Sequence, residues 1–199
     1  MRTSVCKIVT LSQSEYDDLL IKDNKCLIID PGDEIDKIIK EIKDLIPVGI
    51  IITHYHFDHI GAINIKDYYN INVYDINNLN EGINNIDDFN FEVIYTEGHS
   101  NTGISIYFKK EKIMFTGDFL FKGCIGRTDL DDSNENDMNF SINKIKKYDR
   151  DIKIYPGHGE TTILKDELIN NIYLKIIEEY LNQTFCGDSD TSTIHFLRL

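Results

Sequence analysis

The chain has 199 residues, of which 41% are hydrophobic, and it carries a formal net charge of −13. This length suffices for one sizeable hydrophobic core, and we expect a single domain over residues 1–199. The acidic excess, without any lysine or arginine cluster, argues against a nucleic-acid partner because a phosphate backbone would be repelled. No run approaches membrane-spanning length and no apolar signal-peptide core follows Met1. A cytoplasmic protein without a membrane partner is therefore expected.

Apolar runs and turn signals predict strands that alternate with helices along the chain. The first part is predicted to form strands at about 6–11, 15–21, 25–29 and 48–52, with helices at 35–46 and 60–69. The remainder is predicted to form strands at 71–74, 91–95, 103–108, 112–115 and 152–155, with helices at 138–147 and 165–181. The asparagine-rich piece 77–90 is predicted to be a polar surface connection, and the tail 182–199 has no interpretable pattern.

Three histidines and one aspartate lie within six positions, directly after the apolar run 48–52. They are His54, His56, Asp58 and His59. Imidazole nitrogens and carboxylate oxygens together are the ligands that zinc and neighbouring divalent metals accept. A buried strand that leads to His54 would fix the first ligand, and the following turn could wrap around one or two ions. The motif therefore predicts a metal site rather than an unrelated group of surface residues.

Three more potential ligands follow other apolar runs of the sequence. His99 lies in a GHS motif, Asp118 in TGD and His158 in PGHG. Five of the six histidines thus fall at the ends of three apolar runs, which a random distribution would not produce. The sixth, His195, belongs to no cluster and is expected to be an ordinary surface or packing residue. Four strand ends are therefore predicted to deliver seven ligands to one site.

The ordered set HxHxDH, GHS, TGD and PGHG resembles that of the metallo-β-lactamase superfamily, and the resemblance covers most of the chain. The segment GRTDL at 126–130 is similar to the glyoxalase II branch, the hydroxyacylglutathione hydrolases, especially its short single-domain members. The segment PGHGETT at 156–162, followed by Glu167, Asn171 and Tyr173, also resembles those members. The resemblance implies an α/β fold of the four-layer αββα sandwich type, the metallo-β-lactamase fold. Periodicity alone leaves a doubly wound sheet open.

The resemblance also implies a role for each matching residue. One metal ion would bind His54, His56 and His99, a second would bind Asp58, His59 and His158, and Asp118 would bridge the two. The expected cofactors are two divalent metal ions, zinc in the first place, with iron or manganese as alternatives. A metal-bound hydroxide would attack the carbonyl carbon of a small-molecule thioester, and a thiolate would leave. Asp58 and Asp118 are therefore the expected catalytic residues.

Two further residues are candidates for supporting roles. Arg127 occupies the place where glyoxalase II proteins carry a basic residue that contacts the glutathione part of the substrate. A guanidinium can grip a carboxylate through two hydrogen bonds, although a purely structural pair with Asp129 or Asp131 is the alternative. Asp30, at the end of the strand 25–29, is a candidate partner for a histidine N–H. Its alternative is an ordinary turn residue in Asp-Pro-Gly.

Departures from the family pattern limit the substrate prediction. Gly159 stands where glyoxalase II enzymes carry a Glu-Tyr pair, and Asp129 stands where they carry a tyrosine. We therefore predict a hydroxyacyl thioester of glutathione or of another thiol carrier. Two alternatives remain open. One is an iron-dependent persulfide dioxygenase, which shares GRTD but is expected to have Ala-His-Asp where this chain has GHG at 157–159. The other is a non-catalytic metal-binding protein.

Overall fold

The first sheet contains five strands in the order β1-β2-β3-β4-β5. The computed structural model of the protein describes residues 3–9 and 16–175. Strands β1, β2 and β3 are joined as antiparallel neighbours, whereas β3, β4 and β5 run parallel to one another. The strands are β1 Thr3–Val9, β2 Tyr16–Lys22, β3 Lys25–Ile29, β4 Ile46–Ile51 and β5 Val73–Tyr74.

The second sheet contains six strands in the order β13-β12-β9-β8-β7-β6. Strand β12 is parallel to β9, and β7 has the same direction because β7 and β9 are both antiparallel to β8. A short hairpin of β10 and β11 follows β9. The strands are β6 Gly82–Ile86, β7 Phe89–Tyr95, β8 Ile104–Phe108, β9 Ile113–Gly117, β10 Leu120–Phe121, β11 Cys124–Ile125, β12 Lys153–Pro156 and β13 Thr162–Ile163.

Helices cover the outer face of each sheet. They are α1 Ile35–Glu41, α2 Phe57–Ile60, α3 Ile65–Tyr69, α4 Glu135–Ile145 and α5 Leu164–Asn170. Ile38 of α1 packs with Ile28 and other residues on the outer face of the first sheet. Met138 of α4 packs with Met114 on the outer face of the second sheet. Within the described ranges, every helix is too short or too polar to cross a bilayer.

Alternation along the strands places a third apolar cluster between the two sheets. Leu27 and Ile51 of the first sheet meet Phe91 and Phe115 of the second, and all four side chains are buried. Successive side chains of a strand point to opposite faces, so each sheet is apolar on both faces. Helix, sheet, sheet and helix therefore form four layers, which confirms the predicted αββα sandwich of the metallo-β-lactamase fold.

Several predicted element boundaries were wrong. The predicted helix 35–46 ends at Glu41, and the strand predicted at 48–52 begins at Ile46. Of the predicted helix 60–69, residues 65–69 form α3 and residue 60 ends α2, and in the turn between them Ala62 N donates a hydrogen bond to Pro31 O outside the segment. The piece 77–90 contains β6. The helix predicted at 165–181 is interrupted at Asn171, because α5 ends at Asn170 and residues 172–175 are helical again. Residues 176–181, the tail 182–199 and His195 lie outside the described residues.

Five strands from both sheets end at one common edge. Strands β3 and β4 of the first sheet and β7, β9 and β12 of the second end there, because these strands are parallel within each sheet. A backbone hydrogen bond from Ile104 N to Thr53 O, 2.9 Å long, joins the two sheets at this edge. We call it the site edge, because all seven predicted ligands follow strands that end there.

Candidate metal centre

The seven predicted ligands converge at the site edge in two groups. In each group, the potential ligand atoms all lie within 4.8 Å of one another. The first group comprises His54, His56 and His99, and the second comprises Asp58, His59, Asp118 and His158. The division into groups is the one that the sequence resemblance implied. The seven residues come from four separate stretches of the chain, 54–59, 99, 118 and 158, so the convergence comes from the parallel strand ends.

Asp118 lies between the two groups. Its Oδ1 is 3.3 Å from His59 Nε2, and its Oδ2 is 3.3 Å from His158 Nε2, both in the second group. The same Oδ2 lies 3.6 Å from His99 Nε2 in the first group. One carboxylate thus faces ligand atoms of both groups, which is the position that a shared ligand of two cations requires.

Several inward-facing atoms of this cluster lack a hydrogen bond. Among the described residues, His54 Nε2, His59 Nε2 and Asp118 Oδ1 are buried without a hydrogen-bond partner. A buried polar atom without a partner is costly, and a native protein usually compensates for it. Neutral imidazole nitrogens and a carboxylate oxygen are donors that suit a divalent transition metal. The residues present therefore fit metal ions at this position.

Two glycines keep this space free of side-chain carbon. A Cβ added to Gly157 would lie 2.5 Å from Asp118 Oδ1 and 2.5 Å from His59 Cε1. A Cβ added to Gly126 would lie 1.9 Å from the backbone oxygen of Asp118 and 2.8 Å from His99 Cβ. These contacts are shorter than van der Waals distances, so the backbone reaches the ligand cluster only where a glycine stands.

Asp30 and Thr53 fix the rings of two histidines, one from each group. Asp30 is buried and accepts hydrogen bonds from Thr53 N and Thr53 Oγ1, each 2.6 Å long. His59 Nδ1 lies 3.1 Å from the same carboxylate, and His54 Nδ1 lies 3.1 Å from Thr53 Oγ1. With Nδ1 as the donor in each ring, Nε2 keeps its lone pair and faces the ligand cluster. Asp30 thus makes the contact proposed for it from the sequence.

The other two histidines of the first group are held by the loop 126–134. His99 Nδ1 lies 3.0 Å from the backbone oxygen of Arg127, and His56 Nε2 lies 3.2 Å from Asp132 Oδ1. His56 Nδ1 and His99 Nε2 then face each other at 3.0 Å. Two aromatic nitrogens with lone pairs would repel at this distance, so a shared cation or proton belongs between them.

The carboxylates and two of the histidines have pKa values suited to a cation. Burial lowers the pKa of His54 and of His99, which favours neutral rings. The hydrogen bond from His158 lowers the pKa of Asp58. Burial opposes ionisation of Asp118, but contacts with His158 and His59 outweigh it and lower its pKa. Anionic carboxylates and neutral imidazoles are the forms that bind metal.

Arg127 does not point freely into the site. Its guanidinium makes two hydrogen bonds to the carboxylate of Asp129, 2.8 Å and 3.2 Å long, and both side chains are exposed. This pair is the structural alternative recognised from the sequence. The backbone oxygen of Arg127 nevertheless contacts His99, so the residue is part of the site through its main chain.

Glu167 and Asn171 hold the β10-β11 hairpin against the rest of the domain. Glu167 is buried and accepts hydrogen bonds from Gly123 N at 2.8 Å and from Asn171 Nδ2 at 2.9 Å. The hairpin carries Phe121, whose ring centroid lies 6.2 Å from that of His158. Glu167 and Asn171, which belong to the sequence resemblance to the short glyoxalase II members, thus hold the hairpin that places the Phe121 ring beside the second ligand group.

Sequence reasoning missed Thr53 and Asp132. Thr53 directly precedes the HxHxDH motif, so a polar residue at the end of a buried strand was an available signal. Asp132 follows GRTDL in a run of polar residues and lies 76 positions from His56. No local pattern distinguishes it from Asp131, which is exposed.

An αββα sandwich with this histidine and aspartate cluster at the shared strand edge defines the class of metallo-β-lactamase-fold metalloproteins. The chain belongs to the metallo-beta-lactamase superfamily, whose family model matches residues 19–65 and 66–158. Proteins of this superfamily bind divalent metals, often two, and hydrolytic enzymes are among them.

Three individual proteins illustrate the similarity. A probable metallo-hydrolase, YqgX, from Bacillus subtilis (strain 168) is 35% identical, with 78% of this chain and 90% of that protein covered. The hydroxyacylglutathione hydrolase GloC from Haemophilus influenzae is 31% identical, with 74% and 86% covered. The crystal structure of the BLEG-1 B3 metallo-beta-lactamase superimposes with a TM-score of 0.82 at 31% identity, with 86% of this chain and 99% of that chain covered.

Proposed function

We propose that the protein is a dinuclear metal-dependent hydrolase that cleaves a thioester. The observation that carries the proposal is the position of Asp118, whose oxygens lie 3.3 Å from His59 Nε2 and 3.6 Å from His99 Nε2. Two cations held close together repel each other, and a carboxylate that faces both offsets this repulsion. The residues that would hold the ions are His54, His56 and His99 for one, Asp58, His59 and His158 for the other, and Asp118 for both.

Divalent ions bound at this position would polarise a carbonyl oxygen and would lower the pKa of a bound water to about 7, far below that of bulk water. The side chains of the protein prepare the site for that chemistry. Asp118 and Asp58 supply negative charge, and Asp58 Oδ2 is fixed at 3.2 Å from His158 Nε2. Asp30 and Thr53 hold the rings of His59 and His54 before substrate arrives. The geometry is therefore set in advance, which is where much of the rate enhancement of an enzyme originates.

Thioester cleavage suits a site without a dedicated general acid. A free thiol has a pKa of about 8.5, so a thiolate leaves from a thioester with little need of a proton. The GRTDL segment and the hydroxyacylglutathione hydrolase from Haemophilus influenzae, 31% identical, support this class of substrate. Arg127 stands at the rim, where its guanidinium could exchange Asp129 for a carboxylate of the substrate.

The test begins with protein purified without chelators. We expect about two equivalents of zinc, iron or manganese per chain and release of thiol from a hydroxyacyl thioester of glutathione. Removal of the metal with a chelator should abolish thiol release, and readdition should restore it. Asp58→Ala should lose turnover, whereas Asp131→Ala, an exposed aspartate of the loop 126–134, should behave as the wild type.

The same preparation should be assayed for two competing activities. Oxygen uptake with a glutathione persulfide, together with a single iron per chain, would replace the proposal by a dioxygenase. Hydrolysis of a β-lactam faster than of any thioester would replace it by the activity named for BLEG-1. Thiol release that is unaffected by complete metal removal would end the proposal, because every role assigned to the seven ligands depends on the ions.

A further inference from the structure

The rings of His56 and His99 are in direct nitrogen-to-nitrogen contact within the first ligand group. The distance between His56 Nδ1 and His99 Nε2 is 3.0 Å. The opposite nitrogen of His56, Nε2, lies 3.2 Å from Asp132 Oδ1. His56 is half-buried, in contrast to the buried His54, so packing alone constrains its ring less. The orientation of His56 therefore depends on its polar partner.

Asp132 is itself fixed at its second oxygen. Ser100 Oγ donates a hydrogen bond of 2.8 Å to Asp132 Oδ2, and the Ser100 side chain is buried directly after His99 in the chain. Thr102 Oγ1 lies 3.0 Å from Ser100 Oγ and extends the network. The backbone of the loop is anchored as well, because Asn134 N donates to Gly98 O at 2.8 Å. A carboxylate held at one oxygen by a buried hydroxyl can impose an orientation on the group that contacts its other oxygen.

We propose that Asp132 is a positioning residue for the metal ligand His56. Its carboxylate accepts the Nε2–H of His56, which leaves the lone pair of Nδ1 directed at the first ligand group. A carboxylate in this position also makes the imidazole a stronger donor to a cation. The proposal rests on the proposed dinuclear site and adds to it a residue outside the seven ligands.

The proposal predicts an effect confined mainly to one of the two ions. The second group has a separate support, because His59 is held by Asp30 at 3.1 Å and no described contact joins Asp132 to that group. Loss of the Asp132 carboxylate should therefore weaken the ion bound by His54, His56 and His99. The ion bound by Asp58, His59 and His158 should keep its affinity.

The test measures zinc affinity in the full-length chain. Wild type, Asp132→Ala and the control Asp131→Ala are stripped, reloaded with zinc and titrated against a chromophoric chelator, which gives stoichiometry and both dissociation constants. We expect Asp132→Ala to bind one equivalent about 10- to 100-fold more weakly and the other as the wild type does. Asp131→Ala should match the wild type in both. Asp132→Asn keeps the shape and one acceptor oxygen, so its zinc affinity should lie between those of the wild type and Asp132→Ala. It replaces the alanine variant in the test if that variant is unstable.

A thermal melt of the zinc-free forms separates positioning from folding. Asp132→Ala and Asp131→Ala should melt together, because the Asp132 contacts lie at a partly exposed rim. If Asp132→Ala retains both wild-type zinc affinities, or loses both equally, the proposal is wrong. A wild type that binds fewer than two equivalents overturns the dinuclear function as well, so the two failures are distinguishable.

Discussion

Both edges of the sandwich carry ionisable side chains, but the site edge, where the parallel strands end, differs from the opposite edge, where they begin, in how deeply these side chains are buried. At the opposite edge, where β3, β7, β9 and β12 begin, Lys25 pairs with Asp87 and Asp88, and Lys112 pairs with Asp151. These side chains are between 30% and 65% exposed. Their charges remain hydrated, so the pairs contribute little to stability and keep the turns soluble.

At the site edge, the innermost polar side chains are buried, and their polar atoms contact one another or lack a hydrogen-bond partner. Asp30, His54 and His59 are each less than 5% exposed. Buried groups of this kind cost stability unless they are paired, so a fold retains them where function requires them. The comparison teaches that burial, rather than the mere presence of ionisable side chains, marks the site edge of this molecule.

Asp118→Ala tests the comparison with the largest expected effect. Without the carboxylate that faces both ligand groups, turnover should fall to the rate of the uncatalysed reaction, because neither the cations nor the substrate would be positioned. Turnover and bound metal are measured together. Asp151→Ala, an aspartate lost from the opposite edge, is the matched control and should leave both unchanged. Comparable losses in the two variants would contradict the division between the edges.

Gly157→Ala tests whether the backbone beside Asp118 must be free of side-chain carbon for the site to bind metal. Its Cβ would lie 2.5 Å from Asp118 Oδ1, so we expect metal affinity to fall by about 10- to 100-fold, as for other changes around ligands. Gly159→Ala is the control, because no atom lies within 4 Å of its added Cβ but its φ is +76°. It should lose about 1 to 2 kcal/mol of stability and keep its metal. Chelator titration and thermal melting separate the two outcomes.

Thr53→Val removes one hydroxyl from the support of the site. The substitution preserves shape but leaves His54 Nδ1 and Asp30 Oδ2 without their hydroxyl partner. We expect metal affinity to fall about tenfold, and Thr53→Ser, which keeps the hydroxyl, to restore most of it. Equal affinities for the valine and serine variants would show that the hydroxyl does not orient His54.

The positions of the candidate ligands were predictable because each stretch that carries them follows a buried strand. His54, His99, Asp118 and His158 need only a strand end and a short turn to reach the site edge, and both signals are local. The parallel arrangement of β9 and β12 then brings Asp118 and His158, which are 40 positions apart, into contact without any further sequence signal. The prediction of the αββα layers needed the family resemblance, since apolar runs alone do not say which strands share a sheet.

The missed features depend on partners that lie outside the segment in question. Strand β6 is rich in asparagine, and it forms because Asn84 pairs opposite Phe91 of β7 across a tight hairpin. The helix after residue 164 is interrupted at the buried Asn171, whose side chain bonds Glu167 and the backbone oxygen of Cys124, and residues 172–175 are helical again. Asp132 owes its role to His56, 76 residues away. Propensity describes a segment alone, so it cannot report such contacts.

Arg127 and Asp129 test the rim of the site, where smaller effects are expected. If the guanidinium exchanges Asp129 for a substrate carboxylate, Arg127→Ala should raise KM about threefold and leave kcat unchanged. Asp129→Asn should lower KM for the same anionic thioester, because the competing carboxylate is gone. Steady-state kinetics at two salt concentrations check both. If both variants keep the KM of the wild type, the Arg127–Asp129 pair is only a surface contact.

Lys112→Ala, at the opposite edge, should have the smallest effect of all. Its ammonium pairs with Asp151 where both side chains are more than half exposed, and water replaces such a partner readily. We expect turnover within about twofold of the wild type and an unchanged metal content, since exposed pairs contribute little. Added salt should also leave the variant and the wild type equally stable, because screening weakens the pair. A clear loss of metal in this variant would mean that the two edges are coupled through the strands. Burial would then no longer distinguish the site edge from the opposite edge.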